Sequence, residues 1–330
     1  MFEASVDDAA ESEDSVEQHL VTLGSGAAVS GGRCRGLRGN ADRRSVAVRR
    51  WLSLLIPLVA VVAGCSSGGA GNPTVPTIPA AKVYRLGGFQ PAGVIQPGRP
   101  ITLAFSVVQP SGAPLVRYRT GPGPHTGIHL IIVPDDLSSI VHLHPPVSST
   151  GQVSQRVVLP NPGPYRVLVD IYPAHQGPGY VNYQLTKTIH VAGAYHPKPL
   201  PPFAPDVTVD GYRFAMHGLP TLHVAQAALV KVTVTDPSGR PATFTSWFGA
   251  LAHAIFFHKG NLAYFHTHVC APGLAGCTSI GGVAPVTGSS TKPGLLNVGV
   301  LVPEAGTWKL FLQCQVNGHI LTAPYTLHVK

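Results

Sequence analysis

The pattern that decides the fold occurs twice, as His129-Leu-Ile-Ile-Val-Pro-Asp-Asp-Leu-Ser-Ser-Ile-Val-His142-Leu-His144 and as His253-Ala-Ile-Phe-Phe-His-Lys-Gly-Asn-Leu-Ala-Tyr-Phe-His266-Thr-His268. In both copies a histidine is followed thirteen residues later by a His-x-His. An apolar run, a polar turn and a second apolar run are typical of a β-hairpin. Because side chains alternate along a strand, the two histidines of each His-x-His face the same way.

The turn decides where the leading histidine of each copy points. In the second copy, Gly260-Asn261 suits a two-residue loop with glycine at its first central position. Counting outwards from that loop places His253 opposite His268, with His266 beside them on the same face. The first copy has the same spacing and a looser turn around Asp135-Asp136. A three-residue loop there would send the leading histidine to the other face of the sheet.

The pattern of the first 65 residues predicts an export signal that is preceded by a leader. Residues 1–45 are polar, and we interpret them as a disordered leader or a translation start assigned too far upstream. Residues 46–65 contain Arg49-Arg50 and a fourteen-residue apolar run from Trp51 to Gly64. That run is too short to span a bilayer and is typical of a secretory signal.

The apolar run ends in Val-Ala-Gly-Cys65, which resembles a bacterial lipobox. The resemblance implies that Cys65 is lipidated, for example with palmitate, and becomes the mature N-terminus. The alternative is an ordinary signal-peptidase site next to an incidental cysteine. The lipobox reading predicts a protein anchored to the extracytoplasmic face of the bacterial cell membrane.

The rest of the chain divides by composition. Residues 66–81 form a low-complexity tether, 82–193 a first module, 194–205 a proline-rich linker and 206–330 a second module. The chain has 37 glycines and 32 prolines, which favours short strands and many turns. Two further segments also repeat, since Pro110-Ser-Gly-Ala-Pro114 matches Pro237-Ser-Gly-Arg-Pro241 and Gly163-Pro-Tyr165-Arg matches Gly306-Thr-Trp308-Lys. Tyr165 and Trp308 are predicted to pack in the cores.

Evenly spaced strand candidates predict an all-β fold of two tandem antiparallel immunoglobulin-like β-sandwiches. The candidates in the first module are Ile101–Val108, Ile128–Val133, Ile140–Leu143, Val153–Leu159, Tyr165–Tyr172 and Tyr183–Val191. Those in the second are Val207–Met216, Leu229–Thr235, Ala252–His258, Ala263–His268, Gly294–Leu301, Trp308–Gln315 and Pro324–Val329.

Charge argues against a nucleic-acid partner. Residues 1–65 hold 7 of the 23 Lys and Arg and 8 of the 15 Asp and Glu, which leaves 16 basic and 7 acidic residues, a formal +9, in the exported part. These charges are scattered rather than clustered. A basic, lipid-anchored protein is instead expected to approach anionic headgroups, a wall polymer or another envelope protein.

Cysteine usage agrees with an exported protein. Cys270 and Cys277 flank a Gly/Pro-rich loop and are predicted to close a small disulfide in an oxidising compartment. Cys314 lies in an apolar run and is predicted to be a buried small hydrophobe. A Cys270–Cys314 bridge and thiolate ligation of a metal are the alternatives.

Two sets of three same-face histidines suggest metal binding. Imidazoles without thiolates suit copper(II), zinc or nickel, and three of them leave a position open. The candidate ligands are His129, His142, His144, His253, His266 and His268. Further candidates of lower rank are His125 and His175 for the first set and His258, Cys270 and His319 for the second. The alternative is that all these histidines are internal polar residues or contacts between modules.

Other sequence features argue against copper(I) and against catalysis. Met216 is the one methionine after the signal, so a Met-rich copper(I) carrier is not expected. Asp170 and Arg166 invite comparison with copper/zinc superoxide dismutase, but the flanking motifs of that enzyme are missing. Within the exported part, which begins at Cys65, no Gly-x-Ser-x-Gly elbow or spaced carboxylate pair occurs. We therefore expect a non-enzyme.

The His…His-x-His hairpins, the Gly-aromatic-basic strands and the segment Gly260-Asn-Leu-Ala-Tyr264 resemble a group of bacterial exported proteins and lipoproteins with doubled immunoglobulin-like modules. The resemblance covers roughly Ile101 to Val329 and implies a loose association with heavy-metal handling. His144 is followed by proline, as in many members, whereas His268 is followed by Val269. We expect a metal-binding envelope lipoprotein for sequestration, delivery or sensing, or a structural and interaction module.

Overall fold

Strands account for nearly all the regular structure of the described residues. The computed structural model describes residues 83–119, 127–174, 182–218, 220–273 and 286–330. The leader, the signal with Cys65 and the tether therefore lie outside the described residues. In the part that is described, no helix has the length and apolar character needed to cross a membrane. The fold is all-β, as the sequence predicts.

The first module contains seven strands in two facing sheets. They are β1 (Arg85–Gln90), β2 (Pro100–Val108), β3 (Ile128–Pro134), β4 (Val141–Leu143), β5 (Gln152–Val158), β6 (Gly163–Ile171) and β7 (Tyr183–Val191). One sheet has the order β1-β2-β5 and the other β4-β3-β6-β7. Alternate residues of each strand, such as Leu103 and Phe105 of β2 and Leu130 and Ile132 of β3, fill the core between the sheets.

The second module contains nine strands in one continuous sheet. They are β8 (Asp206–Val209), β9 (Tyr212–Met216), β10 (Ala228–Thr235), β11 (Ala252–His258), β12 (Tyr264–Cys270), β13 (Gly288–Ser289), β14 (Leu295–Val300), β15 (Gly306–Val316) and β16 (His319–Val329). The order is β16-β15-β11-β12-β13-β14-β10-β9-β8. The short β13 joins the two layers, and β8 approaches β16, so the sheet rolls around its core.

The duplication seen in the sequence is visible in the fold. Each module ends in a strand that forms a parallel bridge with an earlier segment, at Ile95–Val191 and at Leu222–Val329. Tyr165 and Trp308 are fully buried, as predicted. The Tyr165 hydroxyl and the Trp308 indole each donate to the carbonyl oxygen four residues earlier, at 3.0 Å in both cases.

The two modules pack directly against each other within one compact unit. Residues of β3 and β6 contact residues of β11, β12 and β15 through the faces that point away from each module's own core. This module interface has an apolar part made of Ile131, Val133, Leu137, Leu168, Ile255, Phe257, Leu262, Tyr264 and Phe311. Strands β3 and β12 are consequently buried along their whole length.

The segment between the modules is docked rather than extended. No strand is assigned to residues 194–205. The Lys198 backbone N–H donates to Asp136 Oδ2 at 2.9 Å, and Leu200 packs on the apolar part of the module interface. These contacts hold the connection against the first module.

The strand prediction is wrong in several details, and three of them concern the number of strands. The predicted strand Val207–Met216 is two strands, because Asp210 and Gly211 both have positive φ and form a tight turn between β8 and β9. Strand β1 was not predicted, since Gly87-Gly88 interrupts its apolar pattern. Strand β13 is only two residues long and carries no periodic signal.

Candidate metal centre

The hairpin of β11 and β12 has the predicted register and a different turn. His253 lies opposite His268, and Ile255 lies opposite His266. The loop has four residues, Lys259–Leu262, and is closed by a His258 N–H to Ala263 O bond of 2.8 Å. Two-residue and four-residue loops centred on the same point give the same pairing, so the error in loop length leaves the histidines on the predicted face.

The histidines of this second hairpin converge. One ligand nitrogen from each of His253, His266 and His268 lies within 4.8 Å of the other two. The ring centroids are 4.9 to 5.5 Å apart. All three side chains are buried, with at most 1% of their surface exposed. This three-histidine group could hold a metal ion, since imidazole nitrogens bind zinc at about 2.0–2.1 Å and thus lie roughly 3.4 Å apart.

The first hairpin has the same register but a different arrangement of its imidazoles. Leu130 lies opposite Leu143, which places His129 opposite His144. The rings of His129 and His144 are stacked, with centroids 4.7 Å apart and an interplanar angle of 14°. The structure does not bring His129, His142 and His144 into a metal-holding group, because among the described residues such a group forms only in the second hairpin.

Hydrogen bonds to two rings of the second hairpin occupy one nitrogen of each. His253 Nε2 donates to the Trp247 carbonyl oxygen at 3.0 Å. Neutral imidazole carries one N–H, so the lone pair of His253 is on Nδ1. His266 Nδ1 is 3.1 Å from the Tyr264 hydroxyl. Metal-binding histidines commonly use their second nitrogen in this way, which fixes ring orientation.

An aromatic loop before β11 covers the histidines and was missed in the sequence. Trp247 and Ala250 bond to each other's backbone, and Phe248 and Gly249 between them have positive φ, which makes a two-residue turn. The Trp247 ring meets His253 edge-on at 5.1 Å. Phe248 stacks on His144 at 4.6 Å. The adjacent aromatics before a glycine are the signal that would have found this loop.

His142 extends from the first module towards the three-histidine group. Its ring centroid is 5.3 Å from that of His266 and 5.8 Å from that of His253. His142 Nδ1 donates to Gln313 Oε1 of β15 at 2.7 Å. Gln313 is itself held by Thr322, because its Nε2 donates to that hydroxyl at 3.0 Å. The histidines of both modules therefore form one buried cluster at the module interface.

Burial favours the neutral form of three of these imidazoles, those of His142, His144 and His266. It lowers the pKa of His142 to about 3, against the weaker effect of the Gln313 hydrogen bond. Burial first, and neighbouring histidines second, lower the pKa of His144 and of His266 well below the usual value. Desolvation disfavours the imidazolium ion, so each ring retains a lone pair at neutral pH. A neutral imidazole is the form that binds a metal.

Asp170 and Gln313 occupy equivalent positions in the two modules. Asp170 is paired with His129 in the sheet, and Gln313 is paired with His253. Asp170 Oδ2 lies 3.7 Å from His129 Nδ1, and Asn182 donates to Oδ1 at 2.7 Å. Burial raises the pKa of Asp170 well above its usual value, although the hydrogen bond from Asn182 opposes this shift. Burial therefore favours the protonated form of this carboxyl.

The lower-ranked ligand candidates do not join the cluster. His258 lies at the far end of β11, where it contacts Asn261 and the Ala305 carbonyl oxygen. His319 is exposed beside the turn that joins β15 and β16. Cys270 is in a disulfide, whereas Cys314 is free, so the Cys270–Cys314 bridge is excluded. Candidates that lie outside the described residues are Cys277, His125 and His175.

The fold and the cluster define the class: an all-β protein of two immunoglobulin-like sandwiches with a histidine cluster between them. Residues 207–330, which correspond to the second module, match a family described as a domain of unknown function, DUF8832. No curated protein matches the chain.

Several solved structures share the β-rich architecture at low similarity. One is invasin, a bacterial integrin-binding protein, with 14% identity, a TM-score of 0.21 and coverage of 75% of this chain and 38% of that chain. Another is Salmonella alpha-2-macroglobulin, with 10% identity, a TM-score of 0.23 and coverage of 78% and 15%. The chain thus spans well under half of either protein, and neither likeness identifies an activity or a partner.

Proposed function

We propose that this chain is a lipid-anchored protein of the bacterial cell envelope that binds a divalent transition metal, copper(II) or zinc, through His253, His266 and His268. The observation that carries the proposal is the convergence of three ligand nitrogens within 4.8 Å of one another. A backbone carbonyl orients one of these rings, as the second coordination layer of metal sites commonly does.

The donor set supports a transition metal such as copper(II) or zinc over magnesium or calcium. The group offers imidazoles, without a carboxylate or a thiolate. Cys270 is in a disulfide, and burial raises the pKa of Cys314 to about 12. Imidazole sets suit zinc, copper and nickel, whereas oxygen-rich sets suit magnesium and calcium.

Burial favours sequestration over catalysis. The three side chains are at most 1% exposed, which leaves no evident approach for a substrate. An ion held there would exchange only when the module interface or the aromatic loop opens. Slow exchange suits a protein that retains a metal better than one that turns over a substrate. On this view the protein is not an enzyme.

The location rests on the sequence. The apolar run before Cys65 and its Val-Ala-Gly-Cys ending support a lipid anchor on the outer face of the membrane. The formal +9 of the exported part supports contact with anionic headgroups, a wall polymer or an envelope protein. Incorporation of labelled palmitate that is lost in Cys65→Ser would test the anchor.

The experiment that tests metal binding uses the full chain without a histidine tag. Wild type is stripped with a chelator, dialysed against Zn²⁺ or Cu²⁺, and assayed for bound metal by mass spectrometry. We expect one equivalent in wild type and at least tenfold weaker binding in His268→Gln, with circular dichroism as the check on folding. His319→Ala, on the exposed turn of the same module, is the control. Equal uptake by wild type and His268→Gln would contradict the proposal.

A second candidate is a structural module in which the histidines serve as packing residues. The stack of Phe248, His144 and His129, with centroid spacings of 4.6 and 4.7 Å, supports it, since these rings contact one another without converging on a point. In that case, substitution of the histidines lowers the melting temperature, whereas added Zn²⁺ or Cu²⁺ leaves it unchanged.

A further inference from the structure

We infer that the metal centre is shared between the two modules, with His142 of the first module as the fourth ligand to an ion held by the three histidines of the second. This inference rests on the proposed function, because it assigns an additional ligand to the same site. Its consequence is that the metal fastens one sandwich to the other.

The first observation is position. The ring of His142 contacts two members of the three-histidine group, with centroid distances of 5.3 Å to His266 and 5.8 Å to His253. It reaches them from β4, across the module interface. His142 and His266 are the equivalent first histidines of the two His-x-His motifs, so the duplication itself brings them face to face. Four imidazoles satisfy the tetrahedral preference of zinc, which three leave incomplete.

The second observation is the orientation of His142. Its Nδ1 donates to Gln313 Oε1, and the Gln313 amide is itself fixed by Thr322. A neutral imidazole with the proton on Nδ1 has its lone pair on Nε2. Gln313 is the direct neighbour of His253 in the sheet. A residue of the second module therefore sets the tautomer and direction of a first-module histidine beside the group, as expected of a residue that positions a ligand.

The third observation separates His142 from the other histidines of its hairpin. His144 lies in a stack between Phe248 and His129, with near-parallel rings on both faces. His129 lies against Asp170 and Tyr172. These ring contacts hold His144 between His129 and Phe248 of the second module, and they hold His129 among residues of the first module. His142, by contrast, meets His253 and His266 edge-on rather than stacked.

The test is a Co²⁺ titration of the full chain, because the absorption of Co²⁺ reports its coordination. We expect wild type to give the intense visible bands of tetrahedral Co²⁺, and His142→Ala to bind at least tenfold more weakly with weaker bands. The matched control is His144→Ala, which removes the same side chain two residues along the same strand face and is expected to stay within threefold of wild type. If His142→Ala does not fold, Gln313→Leu replaces it, with an expected loss of about tenfold.

Hydrogen exchange with Zn²⁺ tests the fastening of the modules. In wild type the ion is expected to slow exchange in β4 as well as in β11 and β12, whereas in His142→Ala it protects only the second module. The shared site would be overturned if His142→Ala kept the affinity and the absorption bands of wild type while His268→Gln bound the metal more weakly, as expected. The proposed function would then still stand. Failure of wild type itself to bind Co²⁺, Zn²⁺ or Cu²⁺ would overturn both.

Discussion

At the scale of single residues, the cluster depends on imidazoles that stay neutral. A buried cation without a partner is costly, so burial lowers the pKa of these rings instead of leaving them charged. Each ring then needs a defined tautomer, which His253 obtains from the Trp247 carbonyl oxygen and His142 from Gln313. Neither partner could be identified from spacing alone, because Trp247 lies in a loop and Gln313 belongs to another strand.

Asp170 is an acidic side chain that is fully buried in the first module. Replacing it tests how much free energy the burial of its carboxyl costs. Its raised pKa means that the native state favours the protonated acid more than the unfolded chain does. Stability is therefore lost as pH rises above the unfolded value of about 3.9. Asp170→Asn is expected to raise the free energy of unfolding at pH 7 by about 1 kcal/mol or more in metal-free protein, since asparagine can still accept from Asn182.

Urea unfolding at pH 7 and pH 4 measures this effect. The advantage of Asp170→Asn should shrink towards pH 4, where the unfolded wild-type carboxyl also takes up its proton. The control is Asp210→Asn, an exposed position whose positive φ asparagine tolerates equally well. An advantage that is the same at both pH values would show that the carboxyl's ionisation is not the cause.

Cys314 offers a second residue-scale prediction. Its side chain is 0% exposed, and burial raises the pKa of its thiol to about 12. The thiolate is the nucleophile, so an aromatic disulfide reagent should leave Cys314 unmodified at pH 8 in the native protein and modify it after denaturation. Peptide mass spectrometry identifies the modified cysteine. Rapid labelling of native Cys314 would mean that β15 is accessible.

At the scale of elements, the sequence predicts strands better than their connections. Strands β7 and β11 have the predicted bounds, and each is followed two residues later by a glycine, Gly193 and Gly260. The histidine register is also as predicted, since it depends only on an even loop centred on Gly260-Asn261. The loop has four residues instead of the predicted two, because Leu262 takes a positive φ. A leucine in the sequence gives no indication of such a conformation. The link through β13 depends on long-range contacts and leaves no periodic pattern.

Gly299 of β14 allows the segment just before β13, at Val286, to pack closely against β14. Strand β13 joins the two layers of the second module. A Cβ added at Gly299 would lie 1.5 Å from the Val286 carbonyl oxygen, which is backbone and cannot rotate away. Gly299→Ala is therefore expected to lower the free energy of unfolding by more than about 2 kcal/mol, as overpacking in a core does. Chemical denaturation monitored by tryptophan fluorescence measures the change.

The control for that substitution is Gly93→Ala. A Cβ at Gly93 meets nothing within 4 Å, and its φ is not positive, so alanine should be neutral or stabilise by a few tenths of a kcal/mol. Similar losses in both variants would indicate a general effect of removing glycine rather than the close approach of Val286 to β14.

At the scale of the whole molecule, the geometry of the module interface is what the sequence could not predict. Alternation assigns His129, Ile131 and Val133 to one face of β3, but it cannot say what covers that face. In the structure the second module covers it with the matching residues His253, Ile255 and Phe257 of β11. Two hairpins that were predicted as separate sites therefore meet in one cluster. Long-range packing of this kind leaves its trace only in strands that are apolar on both faces.

Because these histidines are buried at the module interface, we expect the metal-free protein to lose stability in acid. The lowered pKa values of His142, His144 and His266 mean that the unfolded chain binds protons more readily than the native state. Stability is then complete above the unfolded value of about 6.5 and falls as pH drops towards the native values, about 3 for His142. Each such histidine is expected to contribute a loss of about 1.4 kcal/mol per pH unit in that range.

His144→Phe isolates one of these contributions. Phenylalanine can stack between His129 and Phe248 as the imidazole does, but it has no proton to gain. In urea unfolding with a chelator present, the variant should match wild type within about 1.5 kcal/mol at pH 7.5 and lose less stability than wild type between pH 6.5 and pH 4. His319→Ala, at an exposed turn, should follow the wild-type curve. If His144→Phe loses as much stability as wild type over that range, His144 is already solvated or charged in the native protein, and the interface is not the dry cluster described above.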